Sequence, residues 1–216
     1  MTFYQRTDVL QVAKDLLGKM ILTNIHGEGL TGGIITETEA YGGITDRASH
    51  AFGNRKTART CPMFEAGGIT YIYLCYGIHH LLNIVTNVSG VPHAVLIRGI
   101  YPLVGLEIIK KRRRYSHALE IYKNLNFLTN GPGKVAQALG LNLQHNSLSL
   151  QGNKIWIENK SLNIEPTKIL SGPRIGVDYA GPDAHLPWRF FLDPEILSNL
   201  FLVGQFPRVR VTSCNW

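Results

Sequence analysis

The 216-residue chain is 44% hydrophobic and 17% charged, enough apolar material for one substantial core and too much for a disordered protein. Its 22 Lys and Arg outnumber 15 Asp and Glu, for a formal charge of +7, a surplus that favours a polyanionic partner and says nothing of fold. Three cysteines without a C-x-x-C pair argue against a disulfide framework or a zinc ribbon; no apolar run nears the ~20 residues of a membrane span and the first six residues hold no apolar signal core, so a cytoplasmic protein is expected.

Thr7 or Asp8 can cap a first helix with an apolar stripe of Val9, Leu10, Ala13, Leu16 and Leu17, stopped at Gly18. Residues 19–25 read as a strand, 26–29 as a turn, and a long strand runs on to Tyr41. Period-2 alternation places Ile35, Glu37, Glu39 and Tyr41 on one face of it. Two carboxylates on one strand face do not suit a packed core, where an unpaired carboxylate is costly. Gly42-Gly43 breaks the strand. Residues 44–62 are irregular and basic, with Arg47, Arg55, Lys56 and Arg59 and a turn of helix expected at 46–51; an irregular connection of this length is often a binding loop.

Strands at 69–76, 80–87 and 93–100 read as an antiparallel meander with a tight turn at Gly77. Tyr71 and Tyr73 share a face, and Tyr76 falls where the first of these strands ends. A helix over 104–114 ends in Lys110-Lys111-Arg112-Arg113-Arg114, a run that suits a helix C-terminus as solvated surface and, as the alternative, a phosphate contact. Gly131-Pro132-Gly133-Lys134 opens a helix stopped by Gly140; its start is either a plain helix N-terminus or a phosphate site. Residues 154–158, 174–177, 189–192 and 208–212 read as strands, and 115–130 carry no clear pattern. With no repeat and no linker, residues 1–216 are expected to form a single α+β domain, since the strands and helices follow no regular βαβ order.

Certain residues carry a resemblance. They are Glu37-Thr38-Glu39-Ala40-Tyr41, His50, Met63-Phe64, Tyr71-x-Tyr73-x-x-Tyr76-Gly77, Asn83 and Leu96-Ile97-Arg98. In identity and spacing the sequence resembles the alkyladenine (3-methyladenine) DNA glycosylase family, the type without a helix-hairpin-helix. Matches along roughly 60 residues are far more specific than a short motif. The resemblance continues more weakly through Gly131-Pro132-Gly133-Lys134 to Gly172-Pro173-Arg174-Ile175-Gly176-Val177. It implies a single mixed domain with a curved antiparallel β-sheet flanked by helices.

The family's activity requires the target base to leave the helical stack. It also requires an activated water and a stabilised oxocarbenium-like sugar, needs that carboxylates serve in glycoside hydrolysis generally. By resemblance Glu39 is the general base and Arg98 holds both the water and the Glu39 carboxylate. Tyr41, His50 and Tyr73 sandwich the extruded base, Tyr76 fills the gap it leaves, and Asn83 turns away guanine at its 2-amino group. Read without the family, Glu39 and Arg98 are an ion pair, the tyrosines are core and His50 is a structural histidine. Glu37 either raises the pKa of its like-charged neighbour or pairs with a cation. Ile78, His79 and His80 depart from the best-known members of the family.

The implied protein is a monomer acting on double-stranded DNA with damaged purines: 3-methyladenine, 7-methylguanine, hypoxanthine and ethenoadenine. It leaves an abasic site by hydrolysis, since the matched pocket holds no lysine for a lyase step. No metal or cofactor is implied, because the ligand-spaced and nucleotide-binding motifs are absent. Gly131-Pro132-Gly133-Lys134 is not the hairpin of the helix-hairpin-helix glycosylases, for the Asp they need some twenty residues on is missing. Two rivals are a non-catalytic nucleic-acid-binding module on a related fold and a small-molecule enzyme using the Tyr-rich pocket.

Overall fold

The computed structural model describes residues 2–115, 125–159 and 164–196; the strand expected at 208–212 lies outside them. The organising element is an antiparallel sheet of eight strands: β1 (Met20–Asn24), β2 (Leu30–Tyr41), β3 (Thr70–Cys75), β4 (His79–Thr86), β5 (His93–Val104), β6 (Ile155–Glu158), β7 (Ile169–Gly172) and β8 (Arg189–Leu192). Its order is β3-β4-β5-β2-β1-β6, with β8 also on β2 and β7 beyond it. β2 holds β5 along one edge and divides the other between β1 (Met20 opposite Ile34) and β8 (Glu39 opposite Arg189). The sheet curls, and the expected α+β class with a curved sheet holds.

The curl has a local cause. In the β2–β5 ladder Ile35 pairs with Ile100 and Glu37 with Gly99, leaving Thr36 without an opposite residue; the next pair is Thr38 with Ile97, leaving out Arg98. An unpaired residue bends its strand and reverses which side chains face which way. This corrects the reading that put Ile35 on one face with Glu37, Glu39 and Tyr41. Ile35 and Ala40 pack in the main core and Thr38 Oγ1 donates to the Ala13 carbonyl at 3.0 Å. Glu37, Glu39 and Tyr41 face the other way. Upstream, the strands come so close that a Cβ on Gly33 would lie 2.2 Å from the Tyr101 carbonyl oxygen, an approach open only to glycine.

Among the described residues three α-helices, α1 (Val9–Leu16), α2 (Leu106–Arg112) and α3 (Pro132–Ala138), flank the sheet. Asp8 caps α1, its carboxylate accepting from the N–H groups of Leu10 and Gln11. Val9, Val12, Ala13 and Leu16 of α1, with Val135, Ala136 and Leu139 at α3, bury one face of the sheet against Ile72, Leu82, Ile84, Val95, Ile97 and Ile100. A second cluster of Ala51, Met63, Phe64, Tyr71, Val85 and Ala94 seats the basic loop on another part of the sheet.

Two expected elements differ. Residues 46–51 are turns between short 3-10 segments at Gly43–Thr45 and Phe52–Asn54. Residues 174–177 are not a strand, because their polar groups serve side chains and not a ladder: Arg174 is buried against Asp46, and the Ile175 N–H donates to Glu39. The strand there is β7, just upstream.

Asp8→Ala removes two hydrogen bonds from an eight-residue helix that buttresses the site strand. It should lower stability by about 1 kcal/mol, read as a lower denaturant midpoint with an unchanged slope.

Candidate active site

The residues singled out in the sequence converge on one cavity of about 990 Å³. β2 supplies Tyr41, β3 Tyr73, β4 Asn83 and β5 Arg98, while the basic loop brings His50 in from above. Glu39 is completely shielded from solvent and lies directly behind Tyr41 and Arg98. Its Oε2 accepts from the Tyr41 hydroxyl at 2.8 Å. Its Oε1 accepts from the Ile175 N–H at 2.8 Å and sits 3.3 Å from Arg98 Nη1.

These contacts pull in opposite directions. Burial is the largest influence and pushes the Glu39 carboxyl above its ordinary value; Arg98, the Ile175 N–H and the Tyr41 hydroxyl favour the ionised form, and Glu37 again disfavours it. Burial prevails, so Glu39 stays protonated to a higher pH than a free carboxyl. The Tyr41 hydroxyl is pushed well above the usual phenol range, by burial and then by the adjacent Glu39 charge; it remains a donor throughout neutral pH. Glu37 is answered by cations: its Oε1 lies 3.1 Å from both Arg98 Nε and Arg189 Nη1. Both readings left open by the sequence are found: Glu37 pairs with cations and also disfavours the ionised form of Glu39, and Arg98 is shared between both carboxylates.

The aromatic side of the cavity is one contiguous group. His50 Nδ1 is 2.9 Å from the Tyr71 hydroxyl, its ring stands edge-on to Tyr73 with centroids 4.6 Å apart, and the Arg59 guanidinium lies 4.9 Å from the Tyr73 centroid. Burial, reinforced by Arg59 and Arg55, lowers the His50 pKa to about 4, so the ring is neutral at neutral pH. Asn83 is buried and sits opposite Tyr71, not Tyr73, whose partner is Leu81. Its Nδ2 donates to the Tyr71 carbonyl at 3.1 Å, which fixes the amide on the cavity wall.

Tyr76 also lines the cavity, apart from the His50–Tyr71–Tyr73 group. It stands at the tip of the β3–β4 hairpin, 85% exposed beside an exposed Ile78. The turn closes through Ile78 N–H to the Cys75 carbonyl at 3.1 Å, with φ of 51° at Tyr76 and 70° at Gly77. Two left-handed central residues match the twist of a hairpin, but one of them is a bulky side chain that rarely adopts this conformation.

The cavity lining carries Arg47, Arg55, Arg59, Arg98, Arg113 and Lys134 and, among the described residues, no Asp or Glu. The basic run at 110–114 divides: Arg112 is bound to Glu28, Thr31 and the Ala138 carbonyl, while Arg113, held by the Leu128 carbonyl and Gln137, reaches the cavity. No group of three or more His, Cys, Asp or Glu is placed to hold a metal among the described residues. Three partners escaped the sequence reading: Arg189 for Glu37, the Ile175 N–H for Glu39, and the buried pair Asp46–Arg174. Each joins segments over 100 residues apart, and no local pattern marks them.

An aromatic cavity with a cationic rim over a buried carboxylate fits several chemistries, and comparison with known proteins decides the class. Residues 2–195 match the family of methylpurine-DNA glycosylases, and the chain belongs to that family; it is a DNA glycosylase, a class of DNA repair enzyme. It is 49% identical over 192 residues to a protein of Chlamydia felis named for 3-methyladenine DNA glycosylase activity, covering 89% of this chain and 94% of that one. A protein of the same name in Bacillus cereus is 43% identical over 198 residues, with 89% and 94% covered.

The His50 imidazole should titrate near pH 4 in a two-dimensional NMR titration. Arg59→Ala removes one of the charges that disfavour the imidazolium, so the His50 pKa should rise in that variant.

Proposed function

We propose that this enzyme excises 3-methyladenine and related damaged purines from duplex DNA by hydrolysis, acting as a monomer in the cytoplasm. The observation that carries the reading is the fully buried Glu39 carboxylate held between Arg98, Tyr41 and the Ile175 N–H. A protein that only grips phosphates gains nothing from burying a carboxylate there, which argues against a purely binding module.

A carboxylate offers about four acceptor positions; at Glu39 two take hydrogen bonds from the Tyr41 hydroxyl and the Ile175 N–H, and Arg98 Nη1 adds an ion pair at 3.3 Å. A remaining acceptor position takes the water in this reading. Glu39 takes a proton from that water as its oxygen bonds the sugar C1′, and the N-glycosidic electron pair leaves with the base. Arg98 orders the donors around the carboxylate and favours its ionised form. The lone pair departs readily because an alkylated purine is already cationic. A cationic ring stacks best on the faces of Tyr41 and Tyr73, and the neutral His50 adds no repulsion. Hypoxanthine and ethenoadenine, being neutral, need protonation at the purine as well, whereas 7-methylguanine is already cationic in the nucleotide and leaves as the neutral base. Lys134, which lines the cavity contrary to the expectation of a pocket without lysine, has its Nζ held by Asn130 Oδ1 at 2.7 Å and the Phe127 carbonyl at 3.3 Å, so in this reading the product is an abasic site on an intact strand. Tyr76 takes the place of the extruded nucleotide, and the cationic rim meets the backbone phosphates, which makes affinity fall steeply with salt. A small-molecule enzyme would lack that dependence.

The test is product analysis with duplexes carrying each lesion. Glu39→Gln should abolish excision in single-turnover assays and leave DNA binding intact; a near-normal rate would overturn the assignment of the base. In the wild type, excision requires ionised Glu39, whose pKa is raised. The rate should therefore fall on acidification at a pH above the ordinary carboxylate value of about 4.3.

Asn83 acts as the gate against guanine in this reading, because its anchored amide crowds the position of the 2-amino group. Asn83→Ala should raise excision of mispaired guanine more than that of 3-methyladenine. Equal guanine rates in a folded, active variant would remove the gate.

A further inference from the structure

Behind the Glu39 carboxylate lies a second charged group, shut away from solvent. Asp46 and Arg174 form a bidentate pair with both side chains at 0% exposure: Nη1 to Oδ2 at 2.6 Å and Nη2 to Oδ1 at 2.8 Å. The same guanidinium donates to the carbonyls of Ala40 at 2.9 Å and Asp183 at 3.2 Å. It lies 5.0 Å from the ring centroids of both Tyr41 and Trp188. Asp46 in turn accepts from the N–H groups of Gly42 at 2.9 Å and Ala48 at 3.0 Å. One ion pair thus fixes the end of β2, the start of the loop bearing His50, the segment before β8, and the chain around Ile175.

Burying two charges is costly, and the pair gains nothing over apolar packing unless its geometry is used. The Arg174 Nε adds to the cost, for it is buried without a hydrogen-bond partner. What the geometry delivers is adjacent. Ala40 lies between Glu39 and Tyr41 in the chain, and Ile175, the residue after Arg174, gives its N–H to Glu39 at 2.8 Å. Anchoring Arg174 to the Ala40 carbonyl therefore sets the distance between the Ile175 N–H and the Glu39 carboxylate, while the ring contact sets the plane of Tyr41.

We propose that Arg174 and its counter-ion Asp46 are positioning residues for the hydrolytic step: they dock the Ile175 segment onto β2 so that its N–H and the Tyr41 hydroxyl hold the Glu39 carboxylate in its working orientation. The inference rests on Glu39 being the base. Wild type and Glu39→Gln are therefore run alongside; a Glu39→Gln variant that still excises defeats that reading whatever Arg174 does.

The charged and titratable groups around Glu39 are Arg98 and Glu37 on the sheet, Tyr41 on its own strand, Arg189 against Glu37, and the Asp46–Arg174 pair behind. Of the contacts that favour ionised Glu39, the Ile175 N–H and the Tyr41 hydroxyl are the ones the pair positions. Weakening them raises the Glu39 pKa further, and the acid fall in rate should move to higher pH.

Two variants make the test. Arg174→Lys keeps the charge and loses the fork. Asp46→Asn with Arg174→Gln removes both charges, so neither is left buried alone. Folding is checked by thermal melts and affinity by binding to an alkylated duplex at fixed salt. In both variants we expect single-turnover excision of 3-methyladenine to fall about 100-fold, the scale of a small misplacement at a reacting centre. DNA affinity should change less than severalfold, and the acid limb should shift upward. Wild-type rate with an unmoved acid limb in a folded variant would overturn the proposal. So would failure of both variants to fold, since the pair would then be a folding element and not a positioning one.

Discussion

Glu39 carries a carboxylate with no solvent to stabilise it, and the rest of the site follows from that constraint. An ionised carboxylate in a protein interior needs a counter-charge and donors for its lone pairs. Here they come from three distant parts of the chain: Arg98 on β5, Tyr41 at the end of β2, and the N–H of Ile175. Arg98 is also the partner of Glu37, which takes Arg189 as a second cation. With the Asp46–Arg174 pair behind, three carboxylates face three guanidiniums. Removing Asp46 or Arg174 would leave a fully buried partner uncompensated, and Arg98 ties both Glu37 and Glu39 to one guanidinium, so the region is arranged as a unit.

The fold meets this demand with irregularity, not with regular strands. The unpaired Thr36 lets one strand present Ile35 to the helical core and Glu37 and Glu39 to the cavity. The unpaired Arg98 frees its backbone from the ladder at the point where its side chain must reach both carboxylates. Segment 174–177, which reads as a strand in the sequence, gives up pairing so that the Ile175 N–H and Arg174 can serve the site. Bulges of this kind beside a site re-aim side chains that a flat ladder would misdirect.

Affinity and chemistry are separated in space. Cations line the mouth, where solvent and salt reach them and a phosphate backbone would release its counterions. Deeper in, the walls are aromatic, His50 is kept uncharged by burial and neighbouring arginines, and Glu39 lies behind Tyr41 and Arg98. A polyanion is thus attracted to the rim without meeting the acidic centre, while a cationic ring entering the cavity meets aromatic faces.

Residue identities and local periodicity were enough to read a helix capped at Thr7 or Asp8, the β3–β4–β5 meander and the α+β class, because those signals lie within a few residues; the group Glu39, Tyr41, His50, Tyr73, Asn83 and Arg98 was legible only as a spaced pattern resembling a known family. The sequence also placed Tyr76 at a strand end, since Gly77 marks the turn. It could not reveal that Ile35 and Glu37 face opposite ways, for a bulge depends on the partner strand. Nor could it pair Glu37 with Arg189, give Glu39 the Ile175 N–H, or join Asp46 to Arg174. Charges separated by more than 100 residues carry no mark of each other. They become partners only when the sheet has closed, water has been excluded, and each buried charge must be answered by whichever group the fold has brought within reach.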